Sequence, residues 1–206
     1  MAVAARLESF LSRKGITHRE LPIDQAINLD AAVMASGLPM ADFICATLLI
    51  DINGVVMAVH GFDNALDLDA VQQLTGRRLQ PLTARQSSRL FADCDPGFQP
   101  PIGAAYDIPV LVDEDVLKGS RALMTSGSDH ALIEMDGQAL RLALAGARGG
   151  HLVIRGQGNG KRESLTLEEV ADKLQKLYRL PPMPALALPA AIASLTERGS
   201  PSRNDG

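Results

Sequence analysis

Tryptophan is absent from the 206 residues and aromatic side chains make up only 3% of them, so the core has to be aliphatic. A nucleic-acid surface of stacked rings is excluded with them, because base-stacking readout needs exposed aromatic rings. Excess positive charge is missing as well: 20 Lys and Arg against 24 Asp and Glu give a formal net charge of -4. That balance leaves no electrostatic footprint for avid, sequence-independent binding to a phosphate backbone, and DNA is not expected as a partner. Cysteine is scarce. Cys45 and Cys94 stand far apart without a C-x-x-C spacing, so neither a zinc site nor a disulfide framework is readable, and no metal or other cofactor is expected. Long apolar runs are lacking too. Residues 1–11 mix Arg6 and Glu8 into an amphipathic pattern where a signal peptide would be apolar, and no window approaches a membrane span. A cytoplasmic protein with no membrane contact is the expectation, and there is no internal repeat.

What is present is a 46% hydrophobic chain, enough to bury one core of about 150 residues and leave a tail. Ala4, Leu7, Phe10 and Leu11 recur at helical spacing before Gly15, and 30–36 reads as a second helix ended by Gly37. Two β-prone runs, 43–52 and 55–60, flank Asn53-Gly54, which predicts a hairpin whose turn positions both take positive φ. Helices are predicted over 67–74 and 83–91, on either side of a short stretch at Leu79. Strands are predicted over 108–112, 121–125 and 131–135, the last closed by Asp136-Gly137, with a final strand at 151–154. This order, without βαβ alternation, predicts an α+β fold in which helices flank a mostly antiparallel mixed sheet. The main domain should span 1–155. A Gly-rich linker follows at 156–163, then a helix opened by the Thr166/Glu169 capping box within 164–189, and a disordered tail at 190–206.

The candidate site is the loop Gly97, Phe98, Gln99, Pro100, Pro101, Ile102 and Gly103, set before the apolar run at 108–112. Two prolines stiffen such a loop and two glycines remove bulk, so a ligand can approach main-chain amides and carbonyls. Read without context it is also an ordinary proline-rich connection. Its layout resembles the substrate loop of the YbaK/EbsC family, the prolyl-tRNA synthetase-associated editing domains that hydrolyse mischarged aminoacyl-tRNA. The resemblance runs from about residue 16 to 140. It includes Cys45-Ala46-Thr47-Leu48-Leu49, the segment 66–79, the strand at 108–113 and the strand-loop-strand around Ser126-Gly127.

That resemblance implies an ester seated against the loop, with backbone groups and a ribose hydroxyl directing a water to its carbonyl. Positioned dipoles, more than a side-chain nucleophile, carry chemistry of this kind. By position, Gly97, Pro101 and Gly103 would frame the pocket, and Gly103 would present main-chain atoms to the reacting end as the catalytic position. Thr125, Ser126 and Gly127 would complete substrate binding, and His130 would donate to a phosphate or act as acid and base. A solvated loop histidine is the plainer reading of His130.

Two positions depart from the family pattern. Ala46 stands where the family has a lysine, and Leu132 falls near an acidic position. Loss of one charge-assisted contact costs roughly 2–4 kcal/mol, or about 10² to 10³ in rate. The implied partner is the 3' end of an aminoacyl-tRNA, met transiently, with a synthetase or a signalling protein as further partner.

Other features carry less. Cys45, beside the vacant lysine position, reads as a small buried hydrophobe more readily than as a reactive thiol. His18, His60 and His151 stand isolated in the sequence, and no Ser/His/Asp set can be assembled from it. The stretch 156–161 lacks the spacing and the Ser/Thr of a phosphate loop. The run Leu180-Pro181-Pro182-Met183-Pro184-Ala185-Leu186-Ala187 resembles the entry of HDOD domains, helical signalling modules fused behind YbaK-like domains, here as a truncated junction. Two functions remain open: a weakened deacylase of mischarged tRNA, or a non-catalytic ligand-sensing or regulatory module. A structural remnant with an inert loop is the dullest third.

Overall fold

The computed structural model describes residues 3–154. The linker, helix, junction and tail read at 156–206 lie outside the described residues. Helix α1 (Ala5–Lys14) forms where apolar residues recur every three or four positions, burying Leu7, Phe10 and Leu11, and Gly15 stops it at φ 62°, a left-handed conformation that glycine adopts without a Cβ clash. Then come β1 (Arg19–Pro22) and α2 (Leu29–Ser36), whose Asn28 cap accepts a hydrogen bond from Ala31 N at 2.8 Å. The hairpin is β2 (Ile44–Asp51) and β3 (Gly54–Gly61). It is followed by β4 (Ala65–Leu66), α3 (Leu68–Thr75), β5 (Gln80–Pro81) and α4 (Ala84–Leu90), the last opened by a Thr83/Gln86 capping box. Beyond the long loop lie β6 (Val110–Asp113), α5 (Glu114–Lys118), β7 (Arg121–Thr125), β8 (Ala131–Asp136), α6 (Gly137–Ala143), β9 (Arg148–Gly150) and β10 (Val153–Ile154).

One sheet has the order β5-β2-β3-β6-β9, with β2 antiparallel to β3 and β5, and β6 parallel to β3 and β9. A second, β1-β8-β7, is antiparallel throughout, and β10 pairs with β4. A parallel bridge between Phe43, at the entry to β2, and Leu123 of β7 links the two larger sheets. The alternation of a strand sorts the hairpin's side chains to two sides. Leu48, Met57 and Val59 join Leu7, Leu11 and Leu140 in the main core, whereas Leu49, Val56 and Ala58 pack with Val71 of α3 and with Leu152. The α+β expectation of helices against a mixed, mostly antiparallel sheet therefore holds.

The hairpin turn lies one residue earlier than its Asn53-Gly54 pair suggested. Asp51 pairs with Gly54, so Ile52 and Asn53 form the loop, and Gly54 alone takes positive φ, at 111°. The cause is tertiary. The Asp51 carboxylate accepts from Asn53 N at 2.7 Å and is ion-paired with Arg77, whose guanidinium also donates to Gly54 O at 3.0 Å. Hydrogen bonding from Arg77 holds the Asp51 carboxyl well below the usual carboxylate range.

Helices α5 and α6 were not legible as periodicity, since five and seven residues are too short to show a period. The Asp136-Gly137 pair closes β8, as read, and also opens α6. Asp136 Oδ1 accepts from Gln138 N and Ala139 N, both at 2.8 Å, and a Cβ on Gly137 would stand 2.2 Å from Gly119 O. Asp113, buried, does similar work for α5: Oδ1 accepts from Asp115 N at 3.1 Å, while Oδ2 accepts from Leu152 N at 2.8 Å. Of the last predicted strand, only Val153–Ile154 pairs, against β4.

Phe43 is fully buried with Phe98, Leu123 and Leu132 where the two sheets meet. Phe43→Ala is expected to lower stability in urea denaturation by about 3–5 kcal/mol, the usual cost of emptying such a site. A loss below about 1 kcal/mol would show that the bridge does not join the sheets energetically.

Candidate active-site cleft

The loop between α4 and β6 is held by main-chain groups satisfied from β7 and the turn after it. Asp95 N donates to Gly127 O at 2.8 Å, Asp129 N donates to Asp95 Oδ2 at 3.0 Å, and Thr125 Oγ1 donates to Gln99 O at 2.8 Å. Between those ties Phe98 and Ile102 drive into the core, at 1% and 0% exposure, and Pro100 and Pro101 are buried with them. The loop is thus packed along most of its length. Gly97, at φ 89° with open space around a would-be Cβ, and the half-buried Gln99 are its outward parts.

Gln99 closes one side of a cleft of about 300 Å3. Ala46, Thr47 and Leu48 of β2 form a wall, Met57 of β3 the floor, and Leu82 and Ser87 of α4 and its approach the rim. Ala46, the position without a lysine, therefore faces the loop across this cleft. Larger concavities exist among the described residues, one of about 620 Å3 beside the hairpin turn, but that one holds no loop residue and its Arg77 is already neutralised by Asp51. Another, of about 370 Å3, lies on the loop's outer flank between Gln25, Asp95, Phe98 and Asp129.

The sequence-predicted residues divide between these two flanks. Gly103 lies behind the cleft floor: a Cβ there would stand 2.5 Å from Val110 Cγ2, 2.7 Å from Ile108 O and 3.3 Å from Met57 Sδ. Its carbonyl accepts from Ile108 N at 3.0 Å, so close packing of the 3-10 turn Gly103–Tyr106 against β6 already requires glycine. Thr125, Gln99 and Gly97 follow one another from β7 to the loop's outer bend. Ser126 and Gly127 sit in the turn beyond Thr125 and hold structure there. Ser126 Oγ donates to Ala131 O at 2.8 Å, Ser126 O accepts from Ala4 N at 2.9 Å, and a Cβ on Gly127 would stand 2.4 Å from Ala4 Cβ. His130 is exposed on the same turn, its Nε2 3.5 Å from Asp129 Oδ1. Hydrogen bonding from Gln25, and then the neighbouring His130, hold the Asp129 carboxyl below its ordinary range. Leu132, near the family's acidic position, is fully buried beside Phe43 and Phe98.

One grouping was invisible in the sequence. His60, which stands isolated there, is buried on β3 with Nε2 3.1 Å from Thr47 Oγ1, Nδ1 2.9 Å from Gly61 O and Cys45 Sγ 3.7 Å from Nδ1. The hairpin register, with Cys45 opposite His60, is the signal that would have found it. Burial, reinforced by Asp30 and Asp63, pushes the Cys45 thiol up to about 12, so it stays protonated near neutrality and is not a nucleophile. For metal ions, Glu8, His18 and Glu20 bring their donor atoms within 4.8 Å of one another, with both carboxylates exposed.

A family model described as an aminoacyl-tRNA editing domain matches residues 25–142, more than half of the chain. Among solved structures, a candidate trans-editing enzyme for prolyl-tRNA synthetase superposes with a TM-score of 0.63 at 23% identity, covering 73% of this chain and 96% of that one. A hypothetical protein gives 0.64 at 21% identity, covering 72% and 99%. A candidate signal transduction protein from Marinobacter aquaeolei VT8 gives 0.60 at 18% identity; it covers 89% of this chain, which spans 41% of that longer one. At these identities the likeness is one of fold. No curated protein matches the chain.

Thr125→Val removes the hydroxyl that satisfies the Gln99 carbonyl while keeping the side chain's shape. It is expected to lower stability by about 1–3 kcal/mol and to speed amide exchange across 97–101. Unchanged exchange would show that the loop is held by its prolines alone.

Proposed function

The chain belongs to the aminoacyl-tRNA editing domain family, and from that premise we propose that it takes the charged 3' end of a tRNA into the cleft between β2 and Gln99 and hydrolyses the ester of a small, wrongly attached amino acid. The carrying observation is the meeting of three things in one place: the loop's Gln99, the strand position of Ala46, and a concavity of about 300 Å3. That size suits a small acyl group and the terminal ribose, while the rest of the tRNA stays outside.

The cleft's polar groups suit an ester better than an ion. Ser87 brings a hydroxyl to the lining, Gln99 an amide, and the side chains of Ala46, Leu48, Met57 and Leu82 are apolar. With alanine at position 46 no ammonium reaches the bound end, so orientation falls to main-chain and hydroxyl groups, and turnover is weak for this kind of site. Gly97, Pro101, Gly103 and Thr125 act by shaping and holding the loop, Gly103 from behind Met57. Ser126, Gly127 and His130 serve the outer flank, where His130 would meet the nucleic acid.

An acidic chain still needs something to meet phosphates. Arg85 and Arg89 stand one helical turn apart on α4, both exposed, with no ion pair among the described residues, and α4 also carries Ser87 at the cleft rim. They are placed to approach the acceptor end locally, in keeping with a transient complex in the cytoplasm. The 41% span of the Marinobacter structure supports a larger regulatory setting only as a fold likeness.

The test is a deacylation panel over Ala-, Ser- and Cys-charged tRNAs, run on this protein and on Ala46→Lys. The expected result is slow hydrolysis of at least one charged tRNA by the natural chain and a gain of about 10-fold to 10³-fold in the variant. Hydrolysis by neither would overturn the enzymatic reading in favour of a non-catalytic sensing module.

A further inference from the structure

Strand β3 runs through the middle of the larger sheet, and its backbone beneath the cleft is held from both sides. Met57 is in register with Leu48 of β2 and with Val110 of β6, and its N–H donates to Pro109 O at 2.9 Å. Because residues directly opposite in a pair share a face, the Met57 side chain stands on the side of the sheet that carries Leu48 and, two residues along, Ala46. That is the cleft's side. Met57 lines the cleft and yet is fully buried, so it closes the floor from beneath.

Behind it the chain leaves no slack. A Cβ on Gly103 would stand 3.3 Å from Met57 Sδ, 2.5 Å from Val110 Cγ2 and 2.7 Å from Ile108 O, so the space there lacks room for one methyl group. The thioether therefore has nowhere to retreat. The walls are fixed as well, Leu48 by the pairing of the hairpin and Gln99 by the bond from Thr125 to its carbonyl. The depth of the cleft is thus set by one unbranched side chain.

We propose that Met57 is the specificity-determining residue of this cleft, a plug that limits the bound acyl group to a side chain no larger than that of cysteine. The proposal rests on the deacylase reading and names its substrate class: esters of alanine, serine or cysteine. The hydroxyl of Ser87 and the amide of Gln99 suit the polar ester and ribose, which leaves the apolar floor of Leu48 and Met57 to the amino-acid side chain. A short side chain fits above the thioether. A leucine side chain would have to displace it into the filled space beside Gly103.

Deacylation of Ala-, Ser-, Cys- and Leu-charged tRNA is to be compared in the natural chain, Met57→Ala and Met57→Leu, with circular dichroism for the fold. In the natural chain kcat/KM for the leucyl ester is expected to lie about 10-fold or more below the best of the small esters. Met57→Ala opens the floor and should shift that ratio towards leucine by about 10-fold or more, whereas Met57→Leu, which keeps the bulk, should keep the natural order of preference. A merely structural methionine would lower all the rates together and leave the ratio in place. Equal kcat/KM for leucyl and small esters in the natural chain, or an unshifted ratio in a folded Met57→Ala, overturns the plug and leaves the deacylase reading standing. If Met57→Ala does not fold, Met57→Val is read in its place by the same criterion. No hydrolysis of any charged tRNA by the natural chain or its variants overturns both.

Discussion

The carbonyl of Gln99 accepts from the hydroxyl of Thr125, a buried side chain, and the rest of the candidate site depends on that bond. A buried hydroxyl without a partner is costly, so the loop cannot drift from β7 without leaving Thr125 unsatisfied. With Asp95 tied to Gly127 and Asp129, and Phe98 and Ile102 sunk in the core, the loop becomes a wall of fixed position. The cleft exists because this wall stands opposite the open edge of β2. Stiffness here comes from packing and satisfied main-chain groups at least as much as from Pro100 and Pro101.

Electrostatics narrows where a polyanion can dock. Arg19 and Arg121 share Glu134, Arg121 also holds Asp42, Arg77 is taken by Asp51 and Arg6 by Asp107. Such pairs join distant parts of the chain: Arg121 on β7 reaches the turn before β2, and Arg77 fixes the hairpin. Arginines committed in this way are unavailable to a phosphate. Among the described residues Arg85 and Arg89 are not so committed, and they sit on the helix at the cleft rim. A net charge of -4 is thus compatible with a local cationic approach to one site.

Much of this was readable residue by residue. The period of Leu7, Phe10 and Leu11, and the glycines at 15, 37 and 76, marked three helices because apolar spacing and left-handed stops are local properties. The two strand runs around residue 54 marked the hairpin, and the order of motifs along the chain pointed to the family. The turn itself slipped by one residue, since an arginine 26 positions away, Arg77, decides how Asp51 is held. Helices α5 and α6 escaped because each is nucleated by a capping aspartate, Asp113 or Asp136, and not by a long amphipathic stripe. In the site, Gly103 was singled out for close backbone approach. The structure supplies that approach from the protein itself, through Val110, Ile108 and Met57.

By itself the sequence determined the α+β class, the hairpin, the capped helices and the absence of a cation at position 46, because each follows from neighbouring residues or from composition. Tertiary structure decided which concavity the loop borders, that Ser126 and Gly127 brace the turn against Ala4, and that Thr47 and His60 come within hydrogen-bond distance of each other. Those facts depend on strand register and on long-range hydrogen bonds between segments far apart in the chain. No local pattern encodes the distance between two side chains that only folding brings together.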